Sequence, residues 1–385
     1  MSRPDQPRQS SQTNTIHQAL ARTGASRMPL NARITGLRGI TSLIIVLGHL
    51  CNFHIPGAPN IEYFSAVGLF IILSGWGLAS SQNLEKNYWR RRVQRILPVY
   101  YASVFIDLPA FIIWNFGAPS IPLTFIMGQS IIPWIPCDLN GPLWTVSALM
   151  IYYAIFYWFR HRFIPHDREI ESSSILNGTN STRPDDRQKI ISPNQILAIS
   201  AVCLAAIPLI SMLATGHMQL FLHFAFWTHA PQFFCGIAIA HKYTGSAPLS
   251  KLIFVLSTIA ILIYSSLCPI LATESQVFED YQIAGEFLIT LPQAFFIAGL
   301  VSIETLPFLF DLVFTNEISV FLGEISYEIY AMHFPIIDYM SHIDLTWYAF
   351  VTAVLAATIV AAKLLSSATR HGFFEELRLK KTCSL

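Results

Sequence analysis

Apolar residues gather into long stretches along the chain, at roughly 37–53, 63–80, 97–116, 142–159, 195–214, 220–240, 251–271, 283–303, 318–341 and 344–366. A helix of about 20 residues rises far enough to cross ~30 Å of hydrocarbon, so each stretch predicts a membrane span. The pattern therefore predicts an all-α, polytopic transmembrane bundle of about ten spans. Segment 121–136 is also apolar, but Pro122, Pro133 and Pro136 crowd it, which predicts a re-entrant or interfacial piece instead. Polar, breaker-rich sequence fills the remainder. Residues 1–33 are expected to form a disordered tail, 160–194 a flexible loop within the helical domain 34–366, and 367–385 a C-terminal tail. No apolar run precedes Ile34, so no secretory signal is expected. The Arg-containing, acid-poor tail leaves a mitochondrial presequence as an alternative, with weak amphipathicity against it.

Charge placement constrains the topology. Only 12% of the 385 residues are charged, where soluble domains carry about 25%. With the N-terminus in the cytoplasm, all 24 Lys and Arg fall in the cytoplasmic segments or the adjoining helix ends. The opposite loops hold none, as the positive-inside rule requires for ten spans and two cytoplasmic termini. The sequons at Asn177 and Asn180 then lie in a cytoplasmic loop and are expected to stay unglycosylated. A net charge of +1 gives no reason to expect nucleic acid as a partner. The six cysteines show no metal-ligand spacing, and no metal is expected. Cys51, Cys137 and Cys268 sit near helix ends on the non-cytoplasmic side; a Cys51–Cys137 disulfide and plain buried thiols are both open. No internal repeat is visible, which speaks against inverted-repeat transporters.

Three constellations carry candidate chemistry. Arg38 and His49 lie eleven positions apart in the first stretch. At 100° per residue they share one helix face, about 16 Å apart along the axis, with Arg38 at the cytoplasmic mouth. An intramembrane His suits proton transfer, although it can also serve only to bond a neighbouring helix. The run 87–98, rich in Arg, precedes the third stretch. It reads either as a positive-inside anchor with belt aromatics, or as a phosphate grip in which Arg92 and Arg95, one turn apart, hold one anion. In the ninth stretch Ser326, Tyr330 and His333 form a polar stripe, with Glu324 and Glu328 nearby and Pro335 expected to kink the helix. Lipid would penalise such groups, so this helix must face protein or a wet cavity. Asp107 and Glu286 make the same demand.

These residues, in this order, resemble the membrane acyltransferase 3 family, multi-pass enzymes that O-acylate hydroxyl groups. Arg38 and His49 match its R-x(10)-H pattern, and Gly68–Trp76 is similar to its F-F-x-L-S-G-[FW] signature. Arg91–Tyr100 resembles R-R-x-x-R-I-x-P-x-Y, Gly141–Tyr153 its W-x-L element, Phe234–Gly236 its F-x-x-G segment, and Gly323–His333 its G-x-x-S-Y-x-x-Y-x-x-H run. The resemblance extends from about Ile34 to Lys363. Many members carry a Glu after the W-x-L element, where this chain has Leu149; it fits instead a branch with W-x-x-x-A-L-x-x-x-Y. The role of that Glu does not transfer.

The resemblance implies an acyl-CoA co-substrate entering from the cytoplasm, with no tightly bound cofactor. Arg38, Arg92 and Arg95 are then expected to hold the CoA phosphates, and the pantetheine arm to run inward along the first helix. His49 becomes the expected general base, or the site of a transient acyl-imidazole. Ser326, Tyr330 and His333 are expected to orient His49 or to stabilise the oxyanion, with a purely structural His333 equally open. His54 is expected to be an ordinary loop residue, and Trp144 a belt aromatic or a ring that stacks on substrate. Short acyl groups such as acetyl are common in the family. A small-molecule, secondary-metabolite or carbohydrate hydroxyl is the expected acceptor. If the cell is eukaryotic, an endomembrane such as the endoplasmic reticulum is the expected location. A transporter or flippase using the same polar pathway is the rival function.

Overall fold

The computed structural model describes residues 30–51, 64–81, 88–114, 120–135, 139–163, 191–218, 220–243, 249–271 and 275–371. His54, Cys137, both sequons, the two tails and most of the 160–194 loop lie outside them. Among the described residues the chain is helical, without strands. Fifteen α-helices follow one another. They are α1 (Leu30–His49), α2 (Phe64–Ala79), α3 (Tyr88–Trp114), α4 (Ser120–Phe125), α5 (Trp144–Phe163), α6 (Pro193–Thr215), α7 (Phe221–Phe224) and α8 (Phe226–Tyr243). After them come α9 (Lys251–Leu271), α10 (Ser275–Leu288), α11 (Thr290–Ser302), α12 (Phe308–Thr315), α13 (Glu317–Glu324), α14 (Ser326–Ser341) and α15 (Trp347–His371).

The described parts of the ten apolar stretches are mainly helical, with 220–240, 283–303 and 318–341 each split between two helices. Four helical segments, Tyr88–Trp114, Gly141–Phe159, Pro193–Thr215 and Trp347–Thr369, are long and apolar enough to cross a membrane. Segments Asp280–Leu288 and Thr290–Ser302, bent by 45°, make a fifth if taken together. Residues 121–135 of the 121–136 segment form most of the six-residue α4 and a series of turns, so they do not cross as one helix. The ninth stretch departs from expectation. Its interruption lies at Ile325, between α13 and α14, and α14 runs on through Pro335 to Ser341. Asn316 caps the start of α13, its side chain accepting from Ser319 N. Cys51 is a free thiol.

The arrangement turns the soluble-protein pattern inside out. α2 is apolar all round and buries residues on every face, whereas α6, α9 and α15 display large apolar side chains outward, such as Leu213 at 78% exposure. The outward apolar surface is what lipid demands. α1 and α2 form the centre. α1 packs on α2, α12, α13 and α14, and α2 packs on α8, α10 and α11. α14 joins α1 to α3 and α15.

Small residues let these helices approach backbone to backbone. A Cβ at Gly236 would lie 2.0 Å from the Ile72 carbonyl oxygen, and one at Gly75 would lie 2.1 Å from that of Phe233. The two glycines thus seat α8 against α2 from both sides. Gly236→Val forces the helices apart and is expected to destabilise the fold by on the order of 3 kcal/mol. A lower melting temperature of the purified protein in detergent checks this.

Candidate active site

A cavity of about 650 Å³ opens among α1, α2, α3, α5 and α14. Four guanidinium side chains line it: Arg38 from α1, and Arg91, Arg92 and Arg95 from α3. No Asp or Glu stands among its described lining residues. Arg92 is held in place. Its guanidinium lies 3.8 Å from the centre of the Tyr88 ring and donates to the Tyr88 carbonyl at 3.1 Å. Arg38 enters past Gly77, where an added Cβ would come within 3.0 Å of Nη2. Neither Arg38 nor Arg95 forms a salt bridge among the described residues. Like charges gathered on one cavity attract anions.

Arg33, five residues before Arg38, behaves differently. Nε donates to Asp311 Oδ1 at 2.8 Å, and Nη1 donates to the Ile303 carbonyl at 2.9 Å and the Leu300 carbonyl at 3.3 Å. It ties α1 to the end of α11 and to α12. Arg33→Gln is expected to lower stability by about 1–3 kcal/mol and to leave anion affinity unchanged. Thermal melting with and without the anionic ligand separates the two effects.

Inward, the cavity is walled by Ser326 and Tyr330 of α14 and by Thr145 of α5. Tyr330 Oη donates to the Pro142 carbonyl at 2.5 Å and lies 2.5 Å from Thr145 Oγ1. Ser326 Oγ donates to the Gly323 carbonyl at 2.9 Å. Both hydroxyl protons are thus committed to backbone carbonyls. This favours a positioning role over oxyanion stabilisation, for which a proton must point at the substrate.

His333 and His49 come next, outside the cavity lining, with ring centroids 5.0 Å apart. His333 is fully buried and His49 is 9% exposed. Each Nδ1 faces a backbone carbonyl: His49 that of Ile45 at 2.9 Å, His333 that of Tyr330 at 2.7 Å. A carbonyl only accepts, so Nδ1 must carry the proton in both neutral rings, and the lone pair lies on Nε2. His333 Nε2 is buried without a hydrogen-bond partner among the described residues. The structure therefore brings Arg38, Arg92, Arg95, Ser326 and Tyr330 onto one cavity. It pairs His49 with His333 behind Tyr330, whose ring centroid is 5.7 Å from that of His333.

A family model described as an acyltransferase domain matches residues 31–366. The chain belongs to the acyltransferase 3 family. It is a membrane-embedded acyltransferase. No curated protein and no solved structure matches it.

Some residues of this acyltransferase sit where the sequence did not put them. Trp144 is neither a belt ring nor part of the cavity lining. It is 2% exposed and packs on the rings of His223 and His229, at 4.8 and 5.1 Å. Leu149 turns its apolar side chain to the cavity where many relatives of the resembled pattern carry Glu. Asp107 is buried, accepting from Asn140 N at 2.7 Å, and Asn140 Nδ2 donates in turn to the Ala331 carbonyl on α14. These bonds make Asp107 a brace between α3, the left-handed turn at Asn140 and α14. Arg91 joins the basic cluster, a role the i, i+3 spacing of Arg92 and Arg95 did not suggest.

Proposed function

We propose that this acyltransferase moves a short acyl group, such as acetyl, from acyl-CoA to a hydroxyl of a small-molecule, secondary-metabolite or carbohydrate acceptor. The observation that carries this reading is a cavity lined by Arg38, Arg92 and Arg95, none of them in a salt bridge among the described residues, and by Tyr330, next to the His333–His49 pair. CoA carries phosphates at one end and its thioester at the far end of a flexible arm. Arg38, Arg92 and Arg95 suit the phosphates, because guanidinium forks match phosphate oxygens. The arm then runs along α1 toward His49, about 16 Å beyond Arg38 by helix rise.

His49 Nε2 takes the proton from the acceptor hydroxyl as its oxygen attacks the thioester carbonyl. The tetrahedral intermediate collapses with cleavage of the C–S bond. The CoA sulphur leaves and receives the proton back from the imidazolium. His333 and Tyr330 position the reacting groups, with Tyr330 fixing His333 through its backbone carbonyl. Acyl-CoA is a co-substrate in this reading. The chain's ten stretches form ten crossings, with both termini and the basic cavity mouth on the cytoplasmic side, where acyl-CoA is made. In a eukaryotic cell the endoplasmic reticulum is the proposed membrane.

Membranes containing the protein, incubated with labelled acetyl-CoA, are expected to release free CoA thiol only when a hydroxylated acceptor is added. Movement of a substrate across the membrane with no thiol release for any acceptor would instead make the protein a transporter.

A further inference from the structure

We propose that His223, His229 and Glu286 form a buried binding site for a divalent transition-metal ion, with Zn²⁺ the best match to the donors. The three come from α7, α8 and α10, and their ligand atoms all lie within 4.8 Å of one another. Both His rings and the carboxylate are buried. His223 Nδ1 lies 2.7 Å from Glu286 Oε2, and His229 Nδ1 lies 3.6 Å from Oε1.

Hydrogen-bond accounting shows that this cluster lacks a positive charge. His229 Nε2 lies 2.7 Å from the His223 carbonyl, which only accepts, so Nε2 carries a proton. In the neutral ring, Nδ1 is then an acceptor. It lies 2.9 Å from Gln232 Oε1, which is also an acceptor. Turning the Gln232 amide over does not help. Its Nε2 donates to the Glu286 carbonyl at 3.0 Å and to Thr290 Oγ1 at 3.1 Å, and the reversed amide would set oxygen against that carbonyl. Two lone pairs therefore meet unless a proton or a metal ion stands at Nδ1. A proton would settle the Gln232 contact and set an imidazolium 3.6 Å from Glu286 Oε1, too far for a hydrogen bond. It would leave Glu286 Oε1 buried with no hydrogen bond. A metal ion among the donors satisfies both, and its binding displaces the proton shared by His223 and Glu286.

The surroundings fit a metal site. Two imidazoles and a carboxylate are the donor set of many zinc centres, and Gln232 Oε1 offers a fourth donor. The His229 Nε2–H bond to a backbone carbonyl is the outer contact that fixes a ligand ring. Phe64 stacks on His223 at 3.9 Å and Trp144 closes the other side at 4.8 Å, which keeps bulk water away. The ion would staple α7, α8 and α10 behind Trp144. Its chain neighbour Thr145 lines the basic cavity, so the site supports that wall without touching substrate.

The full-length protein, purified in detergent without chelator, is expected to hold one equivalent of Zn²⁺ or another divalent transition metal by elemental mass spectrometry. Glu286→Gln and His229→Gln each remove a ligand and are expected to leave the purified protein without stoichiometric metal. Should these variants fail to fold, the wild type decides alone: Co²⁺ added after chelation should produce visible d–d absorption and restore a melting temperature lowered by the chelator. A monodisperse wild type with only trace metal, no cobalt spectrum and no melting response would overturn the site and leave His229 as a buried imidazolium. Stoichiometric metal that survives both substitutions would overturn it equally.

Discussion

Replacing His49 with alanine is expected to cut acyl transfer by about 10²–10⁴-fold, the usual contribution of a positioned general base, with acyl-CoA binding unchanged. Two features make the effect this large and this selective. The Ile45 carbonyl fixes the tautomer, leaving Nε2 as the nitrogen able to accept a proton. The ring also lies outside the residues that line the basic cavity, so its loss does not disturb the phosphate grip. His333 has the same tautomer for the same reason, and it sits 5.0 Å away. It is fully buried and held by the carbonyl of Tyr330, which suits a positioning residue. His333→Gln is therefore expected to retain more turnover than His49→Ala. Single-turnover assays at saturating acyl-CoA distinguish the two. The reverse order would transfer the base to His333.

The second large effect is on binding. Arg92→Ala combined with Arg95→Ala is expected to weaken acyl-CoA affinity by about 10²–10⁴-fold, since each lost charge-assisted bond costs ~1.5–3 kcal/mol. Maximal turnover at saturating donor should change far less. Both side chains line the cavity, and neither is paired to a carboxylate among the described residues, so their charge is available to a ligand. Arg33 supplies the contrast. It lies on the same helix as Arg38, but its charge is already neutralised by Asp311. Raising the ionic strength should weaken binding in the wild type and have little effect in the double variant. Equilibrium titration with CoA at two salt concentrations measures both.

Much of this was legible in the sequence because it follows local rules. A hydrophobic run of about 20 residues favours helix wherever it lies, and the described parts of all ten are mainly helical, although 220–240, 283–303 and 318–341 are each split between two helices. Arg92 and Arg95 reach the same cavity because residues one turn apart share a helix face. Ser326, Tyr330 and His333 were legible as a stripe, but not the fact that the cavity ends at Tyr330 with His333 behind it. That depends on how α14 sits against α5, where Thr145 meets Tyr330 across the interface. The break at Ile325 was hidden for a related reason. The sequence there has no proline, and the break falls beside the close seating of Gly323, where an added Cβ would lie 1.8 Å from the Thr35 carbonyl oxygen of α1. The His223–His229–Glu286 cluster was the least visible. Glu286 stands 63 positions from His223, and no spacing rule joins them. The only hint was that ionisable groups occupy apolar stretches where lipid would not tolerate them.

The most direct measurement is an experimental structure of the acyltransferase with a non-reactive thioether analogue of acetyl-CoA. The account predicts the CoA phosphates within hydrogen-bond reach of Arg38, Arg92 and Arg95, and the acyl carbon on the inner side of Tyr330, facing His49 Nε2. Phosphates bound away from these three guanidinium groups, or an acyl end directed into lipid, would contradict it.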